Sequence, residues 1–427
     1  MSATTQDSVA NQGLAAGLWL ALGLSLGAAV SLGVTRFAYG LLLPPMRADL
    51  GWSYTLAGAM NTANALGYLL GALSAPGLMR RWGPGPLLWR GALLAALFMA
   101  GSGFFTGAWL LAAQRLLAGV VSAWIFVAGG LLATRLGARW PQHTGLLLGL
   151  YYGGTGWGIS LSALGVPFML EAAGQREHAW AWAWWGLAVA CTLAWLVLRS
   201  MRGSLLHHGI ETGAPLSAPE RADQDTSHAT SAESSTETSA EQGPALRGFV
   251  PAMLAYALFG VGYIGYMTFV VALLRDQGAS AATVTVFYTL LGVAVVVSSR
   301  VWADLLDRHR DGQALARLNA LLGVATVLPA LGSAWPLVFG SGLLFGGVFL
   351  SVVASTTALV RHNLPAHRWA AGISAFTIVF ACGQMLGPSV VGWIADQAGG
   401  LQVGLWFSAC ALWAGALVAW RQRALVG

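Results

Sequence analysis

Two arginines stand where a membrane-crossing chain can ill accommodate them. Arg36 lies in an apolar stretch running from about Leu14 to Leu43, and Arg115 in another from about Gly107 to residue 134. A charge at the centre of a bilayer costs about 3 kcal/mol on insertion scales and persists where it faces protein or a water-filled cavity. A guanidinium carries five donors in a planar fork that matches a carboxylate. Arg36 sits about seven residues, roughly 10 Å at 1.5 Å per residue, from the end of its stretch, and Arg115 about eight from the start of its own. The two therefore share a depth. Every Asp and Glu falls in the N-terminal tail, a central linker, a short loop or a helix end, with Asp396 at the end of the eleventh apolar run. Paired guanidiniums without a fixed counter-ion repel. Either an anionic substrate, above all a carboxylate, compensates them, or Arg115 braces the first helix through backbone carbonyls while Arg36 reaches solvent in a vestibule.

Around these charges the sequence supplies neutral polar groups. Tyr39 follows Arg36 by three residues and shares its helix face, and Tyr263 and Tyr266 hold matching places in the second half of the chain. A phenol gives an apolar wall with a polar tip, suited to orienting a small solute, although core packing accounts for any one of them equally well. Asn61 and Asn64, three apart, either line the site or join helices. Gln384 precedes Gly387 and Pro388; a proline frees a carbonyl, so Gln384 either satisfies that backbone or meets substrate. Catalysis would need a nucleophile with its base, or paired carboxylates, at one depth, and the apolar runs hold neither. The glycines at 153, 154, 156 and 158 lack the strand and turn of a nucleotide fingerprint and read as close helix packing. Cys191, Cys382 and Cys410 have no zinc-site spacing. The expectation is a protein that is not an enzyme, uses no cofactor or metal, and meets a small-molecule substrate and the lipid bilayer but no nucleic acid.

The elements that must position these residues are membrane helices. Of 427 residues 56% are hydrophobic and 9% charged, a balance outside that of soluble domains. Runs of about 20 apolar residues, enough to span a bilayer core, occur near 14–43, 53–78, 85–105, 107–134, 143–170 and 180–200, and again near 249–274, 281–303, 312–333, 335–360, 369–395 and 401–420. Residues 1–13 form a polar tail. Between the sixes, 201–246 is rich in Ser, Thr, Ala, Glu and Asp, too polar to offset its own ordering, and reads as a disordered linker. It separates an N-terminal bundle, 14–200, from a C-terminal bundle, 247–427. Seventeen arginines fall on one side of the spans against Arg47, Arg176 and Arg275 on the other. The positive-inside rule then places both termini and the linker in the cytoplasm. Trp180, Trp182, Trp184 and Trp185 fall at the outer end of the sixth span, where an interfacial belt is expected.

An offset of 227 positions superimposes the halves. GVTRFAY at 33–39 meets GVGYIGY at 260–266, RLLAG at 115–119 meets GLLFG at 342–346, Gly145 meets Gly372, and Gly156 meets Gly383. Six is an even number of spans, so the copies have one orientation, with a cavity expected between them near the midplane. This pattern of six plus six helices, with a basic loop after the second and eighth spans, resembles the major facilitator superfamily of secondary transporters. Gly77, Arg80, Arg81 and Gly83 match part of its loop motif without the Asp, and Asp307-Arg308 keeps it in the second half. The resemblance implies a gating role for Arg80, Arg81, Asp307 and Arg308. Arg36-Phe-Ala-Tyr39, Asn64-Ala-Leu-Gly-Tyr68, Gly260-Val-Gly-Tyr263 and Gly383-Gln384-Met-Leu-Gly387-Pro388 resemble the bacterial YbfB/YjiJ-like branch of that superfamily. It implies an all-α membrane protein of twelve helices in two parallel six-helix repeats, a monomer in the bacterial inner membrane, moving solute by alternating access. A small organic anion is the substrate expected from Arg36 and Arg115. Efflux of neutral sugars or drug-like compounds, or sensing without transport, is the alternative.

Overall fold

The computed structural model describes residues 3–211, 247–365, 368–397 and 399–425. Twelve long helices, and no strand, occur among them. Helix α1 is built from Ala3–Ala28, a π-helical segment Ala29–Phe37 and Tyr39–Leu50. It is followed by α2 (Tyr54–Trp82), α3 (Pro84–Ser102), α4 (Ala108–Arg139), α5 (Thr144–Ala173) and α6 (Trp180–Ser200). The second half comprises α7 (Val250–Asp276), α8 (Ala281–Val301), α9 (Gln313–Leu331), α10 (Trp335–Asn363), α11 (Trp369–Ala395) and α12 (Gly400–Trp420). Ten of the twelve are long and apolar enough to cross a membrane. The other two, α2 and α5, are long enough at 29 and 30 residues but less apolar. Their polar and glycine content fits their place, since α2 packs on α11 and α5 on α8 across the two halves.

The repeat is visible in backbone detail. Ser53 and Ser280, 227 positions apart, cap α2 and α8 in the same extended conformation, each side chain accepting from the amide three residues on, Leu56 and Thr283, at 3.1 Å. Gly119 on α4 leaves room for the Asn64 carbonyl, and Gly346 on α10 for that of Leu291, the corresponding position. Two pairings read from the sequence fail, Gly145 with Gly372 and Gly156 with Gly383, both between α5 and α11. Gly33 of α1 packs on Gly158 of α5, and Gly260 of α7 on Gly383 of α11, so Gly158 rather than Gly156 is the counterpart of Gly383. The cause is a shorter preceding helix: α10 has 29 residues against 32 in α4, and its following connection is one residue longer, so α5 begins at 144 and α11 at 369, an offset of 225. Gly156 turns instead toward Gly292 of α8 and lets the two halves meet at backbone distance.

The composition-based linker also begins too early. Met201 continues into a short helix, Arg202–His207, and Leu205 and Ile210 are buried. Arg135 of α4 donates to the carbonyls of Ile210 and Glu211, at 3.2 and 2.7 Å. Residues 202–210 alternate apolar and basic groups at helical spacing, and the apolar side finds the N-terminal bundle. The rest of the linker, 212–246, lies outside the described residues. Of the four tryptophans assigned to a belt, Trp180 and Trp184 are buried. Their four-residue spacing puts both on the face of α6 that packs on the end of α1, where Trp180 donates to Asp49 at 2.5 Å and Trp184 to the Met46 sulfur at 3.4 Å. Trp182 remains exposed.

The halves are joined from their middle to the arginine-poor end. There the Asp396 carboxylate, just past α11, accepts from the amides of Tyr54 and Thr55 and from the Thr55 hydroxyl, at 2.7, 2.8 and 2.6 Å. Tyr54 donates its phenol to Asp276 at 2.5 Å, and the Arg47 guanidinium lies 3.7 Å from the centre of the Tyr54 ring. Deeper, Thr62 donates to the Met385 carbonyl at 2.7 Å and Tyr288 to the Phe37 carbonyl at 2.9 Å. Among the described residues no hydrogen bond or ion pair joins the halves at the arginine-rich end.

Candidate functional site

The π-helical segment sets the position of Arg36. Here the Ala38 amide reaches back five residues to the Gly33 carbonyl, at 3.1 Å, in place of the usual four. Such wide turns re-aim side chains and expose carbonyls inside helices. Two polar clusters result, one on each side of α1.

The first lies between the halves. Arg36 is buried at 3% exposure, and its Nη2 donates to Gln384 Oε1 of α11. Tyr263 of α7 donates its hydroxyl to the same oxygen at 2.7 Å. The ring of Tyr68, from α2, lies 5.3 Å from the guanidinium carbon and that of Phe37 6.0 Å, within reach of a cation–π attraction. Arg36 and Tyr263 are counterparts under the repeat, and they converge on one neutral amide.

The second cluster centres on Arg115 of α4, also buried. Its Nη1 donates to the Thr35 carbonyl at 2.7 Å and its Nη2 to Asn61 Oδ1 at 3.3 Å. The rings of Tyr39 and Trp184 lie 4.9 and 5.7 Å from its guanidinium carbon, while its Nε has no partner. Asn64 donates to the Arg115 carbonyl at 3.0 Å, tying α2 to α4, and Asn61 donates to Thr268 of α7 at 2.6 Å. Tyr39 donates to the Ala57 carbonyl at 2.8 Å. The two guanidiniums lie within electrostatic reach of one another. Among the described residues the ion pairs are His178 with Asp49 and Arg308 with Asp304, neither in the site.

Arg36, Tyr263 and Gln384 thus meet directly, and Arg115, Tyr39, Asn61 and Asn64 form a brace behind them. The Gln384 oxygen does not turn to the backbone freed by Pro388: it is taken by Arg36 and Tyr263. Tyr266 lies apart from both clusters. Its hydroxyl meets Ser341 Oγ at 2.7 Å and its ring stacks on Phe345 at 4.0 Å, inside the second half. The loop residues are not brought together. Arg80 and Arg81 are exposed without a hydrogen bond or ion pair, Asp307 is exposed, and Arg308 pairs at 3.6 Å with Asp304 of its own turn.

Sequence reading missed an aromatic stack beside the first cluster. Tyr256, Phe259 and Tyr263 of α7, Phe349 of α10 and Phe380 of α11 lie nearly parallel, with neighbouring ring centres 4.7 to 6.1 Å apart. Phe37 of α1 meets Phe349 edge-on at 5.8 Å across the junction. The signal was present as rings at 256, 259, 263 and 266, at 345 and 349, and at 376 and 380, the three- and four-residue spacings of single helix faces.

Two six-helix halves thus meet at a buried polar junction in which, among the described residues, no carboxylate pairs with either arginine. The family model described as "Uncharacterised MFS-type transporter YbfB" matches residues 28–420, and the chain belongs to that family. A solved structure titled as a bacterial homolog to the human lysosomal transporter Spinster, inward-facing and unoccupied, shares the fold at a TM-score of 0.61 and 13% identity, covering 96% of each chain. The nucleoside transporter NupG does so at 0.66 and 11%, covering 95% of this chain and all of its own. No curated protein matches the sequence.

Proposed function

We propose that this protein moves a small organic anion, a carboxylate, across the membrane by alternating access, and that Arg36 is its anion ligand. One observation carries the reading: Arg36 is buried between the halves and held by a neutral amide, with no acidic partner among the described residues. A carboxylate would give that guanidinium charge-assisted, bidentate hydrogen bonds in place of one bond to an amide. Arg115 is assigned a supporting part, because the Thr35 carbonyl, Asn61 and two ring faces already occupy it. The arginine-rich end is the cytoplasmic one under the positive-inside rule. The hydrogen bonds between the halves then close the outer end, and the conformation is inward-facing.

The test is exchange in proteoliposomes. Radiolabelled monocarboxylates, dicarboxylates, nucleosides, sugars and cationic drugs are offered to wild type and Arg36→Ala. Carboxylate exchange is expected in wild type, with a loss of about a hundredfold in the variant, as when one member of a buried charge pair is removed. Movement of neutral or cationic solutes by both proteins, without carboxylate exchange, would overturn the reading.

A further inference from the structure

The Arg36 cluster has an apolar neighbour of definite shape. Phe380 precedes Gln384 by four residues on α11, so the two share a face one turn apart. Phe380 stacks on Tyr256 with ring centres 4.7 Å apart and planes 18° apart, on Phe259 at 5.3 Å and 10°, and on Tyr263 at 5.5 Å and 20°. Tyr256, Phe259, Tyr263 and Phe349 are buried, whereas Phe380 is only half-buried. Phe380 is thus the one ring of the stack that is partly exposed. Tyr68, the half-buried ring under the Arg36 guanidinium, is within electrostatic reach of Tyr256 and Tyr263 from the opposite half. Aromatic side chains from both halves thus flank the junction. Since α11 runs from its arginine-rich start toward Asp396, Phe380 lies on the arginine-rich side of Gln384. That is the side on which no hydrogen bond or ion pair closes the halves among the described residues.

We infer that the anion is an aromatic monocarboxylate: its carboxylate replaces the Gln384 amide oxygen on Arg36 and Tyr263, and its ring continues the aromatic stack on the partly exposed Phe380. The inference rests on the anion reading above and narrows it. Gln384 Oε1 receives two donors, one cationic and one neutral, and a carboxylate presents acceptor sites to both while matching the charge. In a benzoate-type acid the ring and carboxylate are joined by one bond, so the acid fits within the rise of about 6 Å between Phe380 and Gln384. Parallel rings receive a flat ring by offset stacking, which adds to the gain from burial alone. A saturated ring of similar size carries the same charge and apolar bulk without that stacking. Phe380 and Gln384 become specificity-determining residues, one reading the ring and one vacating the charge.

The experiment measures binding to the full chain purified in detergent, by calorimetry and thermal stabilisation. The probes are benzoate, cyclohexanecarboxylate and the neutral benzamide, offered to wild type, Phe380→Leu and Arg36→Ala. Wild type is expected to bind benzoate about tenfold more tightly than cyclohexanecarboxylate, the upper range for one aromatic pair, and not to respond to benzamide. In Phe380→Leu, which keeps an apolar side chain, the preference shrinks toward unity while cyclohexanecarboxylate affinity stays within about threefold. Equal wild-type affinity for the two acids overturns the aromatic inference and leaves the anion reading standing. A preference that survives Phe380→Leu undiminished overturns the placement on Phe380. Binding of benzamide that persists in Arg36→Ala, without binding of either acid, overturns both.

Discussion

Replacing Gln384 with glutamate would convert a neutral placeholder into a permanent counter-ion for Arg36. A unit charge at about 3 Å from the guanidinium gains roughly 5.5 kcal/mol at an effective dielectric near 20, and burying the new carboxylate costs several kcal/mol in return. The difference, about 1 to 2 kcal/mol, favours the bridge between α1 and α11. Tyr263, which already donates to this position at 2.7 Å, adds a second bond of the charge-assisted kind. An incoming carboxylate must then displace a charge rather than an amide. Its affinity in Gln384→Glu is expected to fall about tenfold or more, while the apparent unfolding temperature in detergent holds or rises. Gln384→Ala works in the opposite sense. Arg36 and Tyr263 lose their acceptor, costing about 1 to 3 kcal/mol of stability, yet the guanidinium is vacant and carboxylate affinity equals or exceeds that of wild type. Calorimetric titration of both variants with benzoate, alongside thermal unfolding, reads the two directions. Wild-type affinity in Gln384→Glu would refute the placeholder role, as would a loss of affinity in folded Gln384→Ala.

Three further outcomes follow from the same geometry. Arg115→Met removes two hydrogen bonds from a buried cation and is expected to lower stability by about 2 to 4 kcal/mol, with a smaller effect on carboxylate affinity than Arg36→Ala; an equal effect would move Arg115 into the binding site. At the arginine-poor end, burial works against the Asp396 charge, but hydrogen bonds from the Thr55 side chain, the Thr55 and Tyr54 amides and Ser53 outweigh it and hold its pKa below the ordinary 3.8. A depressed carboxylate stabilises above its unfolded pKa and loses that contribution as pH falls through the folded value. Labelling of Leu56→Cys, in a background lacking the three native cysteines and taken relative to a free thiol at the same pH, should therefore accelerate below about pH 4. Asp396→Asn should raise the rate at pH 7 two- to fivefold, about 0.5 to 1 kcal/mol after discounting for exposure, and flatten the pH response. Gly58→Val places a side chain against the Pro388 carbonyl of the opposite half, and overpacking of this kind costs about 1 to 3 kcal/mol. Exchange should drop about tenfold, while Leu56→Cys in that background labels faster; unchanged exchange would show that α2 and α11 need not approach so closely.

Much of the fold was legible because a bilayer leaves a spanning chain few options. Apolar runs of the right length must be helices; the run boundaries agree with the observed helices to within a few residues at most ends, apart from extensions such as Leu43 to Leu50. Register was legible only where chain length between elements was equal. Ser53 and Ser280 obey the 227-residue offset, and Gly158 and Gly383 escape it because α10 with its following connection is two residues shorter than α4 with its own. Arg36 and Arg115 were legible as charges without acidic partners at their depth, since burial cost depends on residue type and position alone.

What the two arginines do was decided by tertiary structure. From sequence they look alike, equally deep and equally unpaired. Each has two ring faces nearby, but the fold gives Arg115 the Thr35 carbonyl and Asn61 as acceptors and gives Arg36 a single amide from the other half. It likewise sends Tyr263 to Gln384 and Tyr266 to Ser341, though both tyrosines follow the same helix at three-residue spacing. Linear spacing fixes the face of a helix a side chain occupies. Which partner that face meets depends on how the helices cross, so the sequence by itself determined twelve long helices in two copies with two buried charges, and packing between the copies chose the partners of each charge.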